Sequence, residues 1–169
     1  DNVHAVLPVG GQRYVGCGQE GTEGYLVRCD PATKAAQIVV STLRASPETP
    51  LDAMTNGFHL QKMIHDEPRN RLLLMVNGQR DGAEGTLWEY RLDDGGMRIL
   101  LESEWPARAV EAGPDGLVQL YLNQVLTPQY VFYYGIAEFD PRTDAARLRL
   151  ANQKRGAGKA LPLTPETCH

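Results

Sequence analysis

Cys29-Asp30-Pro31, Tyr90-Arg91-Leu92 and Phe139-Asp140-Pro141 are three copies of one ending. Each closes a short apolar run with an aromatic residue or Cys, then a charge, then Pro or Leu, and a further apolar segment follows. Two more such segments precede each ending. A basic or imidazole residue opens the first, a polar turn leads to the second, and a Gly-rich or aromatic loop leads to the third. A four-segment unit repeated at this scale is the signature of β-propeller blades. The expected fold is all-β: a β-propeller with about three four-stranded blades in this chain, forming part of a larger ring.

The segments are rich in Val, Leu, Ile, Tyr or Phe and are bounded by Gly, Pro, Asn or Asp, which is strand chemistry. Blade one is expected at 1–41, with strands 3–9, 13–18, 25–30 and 35–41. Blade two is expected at 58–103, with strands 58–65, 71–77, 86–92 and 97–102. Blade three is expected at 107–151, with strands 108–112, 117–123, 135–140 and 145–150. Gly10-Gly11, Pro68-Arg69-Asn70, Asp94-Gly95-Gly96 and Pro114-Asp115-Gly116 supply turns between them. Residues 42–57 form an inserted loop, and 152–169 read as a linker or docking tail rather than a strand. A propeller ring closes with four to eight blades, and an open arc leaves unpaired strand edges. The expected complement is therefore further blades or a small partner subunit, with a homo-oligomer as the other way to close the ring.

The 169 residues suffice for a real core, and 42% hydrophobic with 22% charged residues is ordinary globular composition. A net charge of −4 argues against nucleic acid as the main partner, which would require a basic face. No apolar run approaches the ~20 residues that span a bilayer. Cys17 and Cys29 flank a hairpin, and a turn centred on Glu23 would set them opposite one another. Two ordinary buried thiols and a disulfide of an exported protein both fit that expectation.

In a propeller, the first strand of each blade lines the central channel. Those strands begin here with His4, His59 and Arg108. Three inward cationic groups at a channel mouth suit an anion, although two His and one Arg do not make a metal site. The plainer role is a hydrogen bond at the rim. His65-Asp66-Glu67 resembles ligand chemistry in its residue types. It lies just before a turn, however, and His59 is about 20 Å from His65 along an extended strand. The loops at 19–24, 79–85 and 124–134 share one face of the expected blades. Tyr130, Phe132 and Tyr133, with Tyr134 beside them, make the third loop aromatic. Such a cluster serves either as a loop-face binding surface or as the packed entrance of a strand. Gly156-Ala157-Gly158-Lys159 lacks the first Gly and the Ser or Thr of a phosphate loop.

The stretch Asn56-Gly57-Phe58-His59-Leu60-Gln61-Lys62-Met63-Ile64-His65 is followed by Arg71-Leu72-Leu73-Leu74-Met75-Val76 and then by Gly85-Thr86-Leu87-Trp88-Glu89-Tyr90-Arg91-Leu92. Together these resemble the heavy chain of methylamine and aromatic amine dehydrogenases, seven-bladed propellers of the bacterial periplasm. The resemblance covers mainly residues 12–103. Arg91 stands where that family has Asp, and 79–85 lacks its His-Lys segment. The resemblance implies a periplasmic or extracellular protein. It also implies a heavy chain with no cofactor of its own, which shapes a substrate entrance and docks a small subunit carrying a tryptophan-derived quinone. No catalytic residue transfers to this chain, because the matched positions are strand residues. The alternative expectation is a non-catalytic propeller module that binds a protein or glycan.

Overall fold

Alternation of apolar and polar residues forces each short segment into a half-buried strand, and turn residues fold each strand back on its predecessor. The result, in a computed structural model, is all-β. The structure describes residues 2–18, 24–41, 59–77, 85–103, 107–113, 115–126, 131–155 and 159–160.

Sheet 1 contains β1 (Asn2–Val9), β2 (Gln12–Gly18), β3 (Gly24–Cys29) and β4 (Ala36–Ser41), antiparallel and in chain order. Sheet 2 repeats the design with β5 (His59–Asp66), β6 (Arg71–Asn77), β7 (Gly85–Arg91) and β8 (Met97–Ser103). Sheet 3 contains β9 (Ala107–Ala112), β10 (Val118–Leu126), β11 (Val131–Asp140) and β12 (Ala145–Arg155). It ends with a fifth, two-residue strand, β13 (Lys159–Ala160). The chain divides into two compact units, Asp1–Glu104 with sheets 1 and 2, and Trp105–His169 with sheet 3.

The register repeats as closely as the strand order. Each first strand carries one extra residue against its partner, namely His4 in β1, Gln61 in β5 and Arg108 in β9. Each fourth strand carries another, namely Val39 in β4, Leu100 in β8 and Arg149 in β12. Bulges of this kind increase the local twist and re-aim side chains. The turn after each third strand repeats as well. Lys34, Gly95 and Asp144 hold the left-handed conformation at the same position, with φ of 60°, 72° and 56°. Asp30 Oδ1 accepts from the Ala32 and Thr33 amides, and Asp140 Oδ1 accepts from the Arg142 amide. Thr33 and Thr143 hydroxyls accept from Ala35 and Ala145, while in sheet 2 Asp94 takes the Thr role and accepts from Gly96. These side chains imitate a backbone turn.

In the first unit, sheets 1 and 2 pack face to face. Tyr14, Leu26 and Val40 of sheet 1 meet Leu60, Leu72, Leu74, Val76, Trp88 and Tyr90 of sheet 2. Gly16 permits the close approach, since a Cβ built there falls inside the Leu60 side chain. Tyr14 and Tyr90 stack tilted at 59°, with ring centroids 6.2 Å apart. On β6 the burial is unbroken from Arg71 to Val76. Leu73 and Met75 point away from sheet 1 and are buried as well, so this strand is covered on both faces.

Three expectations are corrected. Cys17 pairs with Tyr25, and Cys29 pairs with Arg13, so the hairpin is centred two residues earlier than Glu23. The thiols sit four residues apart along β2, about 13 Å. Both are free and half-buried, and the disulfide is excluded on register. The segment after Leu150 is not simply a linker, because β12 runs on to Arg155 and pairs with β13. The loop expected at 124–134 is also shorter. Strand β10 reaches Leu126 and β11 begins at Val131, because the aromatic and β-branched residues there extend the hairpin.

Candidate functional site

The first strands hold two of the three expected channel-mouth residues at matching positions. His4 and Arg108 are both the bulged residue of their strand. His59 is not their counterpart. It lies two residues before the bulge, opposite Asn77, and Gln61 occupies the bulge of β5. The sequence does not reveal this, because a bulge leaves no mark in hydrophobic alternation until its partner strand is known. The bulge is thus held by His, Gln and Arg in the three sheets in turn, residue types that do not repeat a metal ligand. Among the described residues, no group of three or more His, Cys, Asp or Glu could hold a metal ion.

His65-Asp66-Glu67 separates into three unrelated roles. His65 is a half-buried residue of β5 opposite Leu72, and Glu67 opens a 3-10 turn (Glu67–Arg69). Asp66 is buried and engaged, with Oδ1 accepting from Arg69 at 2.9 Å and Oδ2 from Arg71 at 2.7 Å. Arg71 also donates to Glu89, which Arg98 grips with two bonds of 3.1 Å. The chain Arg69, Asp66, Arg71, Glu89, Arg98 alternates in charge and crosses all four strands of sheet 2. Burial pushes the Glu89 carboxyl up, but the hydrogen bonds from Arg98 and Arg71 outweigh it and hold the group below the usual carboxylate range. Each buried charge of this network has a partner, so the network braces the sheet. Sequence reading missed it because its members are distant along the chain. The one visible signal was an Arg opening the apolar run 71–76.

The other sheets carry lesser versions at the same register position, Arg28 to Gln37 at 2.6 Å and Arg147 to Glu138 at 3.0 Å. Sheet 3 has a cleft of about 300 Å³ lined by Leu117, Glu138, Asp140, Arg142, Ala145 and Arg147. Its two arginines are paired, Arg142 with Asp140 and Arg147 with Glu138, so the cleft presents compensated charge.

Of the expected loop-face residues, Phe132 and Tyr133 lie within β11, opposite Val125 and Gln124. Tyr130 lies outside the described residues, as do 127–129, the segment 42–57 expected as an inserted loop, and Gly156-Ala157-Gly158. No helix among the described residues is long and apolar enough to cross a membrane. No protein-family model matches the chain, and no curated protein matches it.

Proposed function

We propose that this chain is an arc of three β-propeller blades that works as a docking and entrance-shaping subunit, with the chemistry carried by a partner. The observation that supports this most is the threefold repetition of one sheet design. Strand order, the bulge on the first strand, the bulge on the fourth strand and the left-handed turn residue all recur. Rings of repeated blades are built this way, each blade burying its faces on its neighbours. The packing of sheet 1 on sheet 2 supports this reading.

The likeness of 12–103 to amine dehydrogenase heavy chains supports the subunit role. In that role a small periplasmic or extracellular partner docks on the chain and supplies a quinone. The ion pairing of Asp66, Arg71 and Glu89, the buried charges among the described residues, fits a scaffold. Native mass spectrometry of the assembly, with a visible spectrum of the same sample, tests this. The expected result is the chain bound to a smaller, coloured subunit. A colourless chain with no smaller subunit overturns it.

A second reading, a protein- or glycan-binding module, is favoured by Phe132 and Tyr133 at the start of β11, beside segment 127–130. There, removal of Tyr130 or Tyr133 would abolish ligand binding with folding intact. Normal binding by both variants would eliminate it.

A further inference from the structure

Sheets 1 and 2 share a register, so each residue of one has a counterpart in the other. The face of sheet 2 buried against sheet 1 includes Leu60, Met63, Leu74, Trp88 and Tyr90. Their counterparts in sheet 1 are Val3, Val6, Val15, Val27 and Cys29. These lie on the face of sheet 1 turned away from sheet 2, and none is buried. Val3 is 63% exposed, Val6 56% and Ile38 43%. Val6, Val15, Val27 and Ile38 stand opposite one another on successive strands, an apolar row across the sheet. The surface that sheet 2 hides is thus open on sheet 1, and contiguous exposed apolar surface of this kind marks an interaction site.

The chemistry of the occupant follows from size. Against sheet 2, sheet 1 presents Tyr14, Gly16 and Leu26, and the glycine leaves room for Leu60. The open face of sheet 1 has smaller residues throughout, with Val3 for Leu60, Val27 for Trp88 and Cys29 for Tyr90. Its partner must therefore be bulkier where sheet 1 has glycine. Sheet 3 meets that requirement. At the positions of Tyr14, Gly16 and Leu26 it carries Gln119, Tyr121 and Ile136, all only half-buried. The residues of its opposite face, Val118, Leu120, Ala137 and Phe139, are buried.

We propose that the open face of sheet 1 docks sheet 3 of a second copy of this chain, with Tyr121 of one copy set over Val3 and Val6 of the other. The contact is head-to-tail, joining two different surfaces. It rests on register and residue size, independently of any quinone-bearing partner.

Sedimentation velocity of the full chain across a concentration series tests it. The expected result is reversible association above the 18.7 kDa monomer. Val6→Asp on one surface, or Tyr121→Asp on the other, should weaken it by about 100-fold through burial of an unpaired charge. Far-UV circular dichroism confirms that each variant folds, and Val3→Asp replaces Val6→Asp should the latter misfold. The decisive arm mixes the two variants. Each retains one intact surface, so a head-to-tail contact re-forms as a heterodimer at wild-type affinity while either variant alone stays monomeric. A wild-type chain that is monomeric at all concentrations overturns the proposal. Association unaffected by Tyr121→Asp, or a mixture that stays monomeric, also overturns it.

Discussion

Glu89 and Gly16 both serve the first unit, for opposite reasons. Glu89 is buried between Arg71 and Arg98, and its carboxyl sits below the usual range because the ion form is the bonded form. A carboxylate with a lowered folded pKa contributes stability that is fully present above its unfolded value, about 4.3. That contribution is lost as pH falls through the lower folded value. Glu89→Gln should therefore cost about 3 kcal/mol at neutral pH, since one partner of a buried pair is removed. The penalty should shrink in acid, and urea unfolding at pH 7 and pH 3.5 reads both. Arg142→Ala should leave the urea midpoint essentially unchanged, because that arginine is 64% exposed and water screens its pair with Asp140. Gly16 acts by absence. Gly16→Ala places a methyl inside Leu60 and should cost about 1–3 kcal/mol, and a second change, Leu60→Ala, should recover part of that loss. A double-mutant cycle by thermal unfolding measures the coupling, and strict additivity would show that the two residues do not touch.

The turn after each third strand shows how one element tolerates different residues. Its fifth position needs positive φ, which glycine adopts freely and other residues adopt at a cost of about 1–2 kcal/mol. Sheet 2 spends its glycine there, whereas sheet 1 uses Lys34. Lys34→Gly should then raise stability by about 0.5–1 kcal/mol, and Gly95→Ala should lower it by about 1 kcal/mol, both read as shifts in the urea midpoint. The strands themselves were legible in the sequence, because alternation and turn residues act locally. The Asp94-Gly95-Gly96 turn could be seen because its chemistry lies within three adjacent residues. The bulges at Gln61 and Leu100 could not, since an extra residue is defined only against a partner strand. The extra residue in β5 is Gln61, which leaves His59 two residues short of the position that His4 holds in β1. Cys17 and Cys29 are offset by the position of the turn instead, since β2 and β3 pair without a bulge. The charge chain through Arg71 was hidden for the same reason, as it crosses four strands whose register no single segment encodes.

At the scale of the molecule, the sheets are alike in design and unlike in burial. Sheet 2 is covered on both faces, with Leu72, Leu73, Leu74 and Met75 all essentially inaccessible, while sheet 1 exposes Val3, Val6 and Ile38. Local stability follows buried apolar contact and protected backbone bonding, so the same strand order should open at different free energies in the two sheets. Amides of β6 and β7 have neighbours on both sides and covered faces. Amides of β1 and β4 lie at the edges of a sheet with one open face. Hydrogen exchange should therefore be slowest in β6 and β7 and at least about tenfold faster in the paired amides of β1 and β4, a gap of ~1.4 kcal/mol in opening free energy. The measurement also bears on the open face of sheet 1. If that face docks a second copy, protection of β1 should rise with protein concentration while β6 and β7 stay constant, because binding stabilises only the segments that the partner covers. Protection that is uniform across both sheets, at every concentration, would mean that the exposed valines are no weak point and that the first unit opens only as a whole.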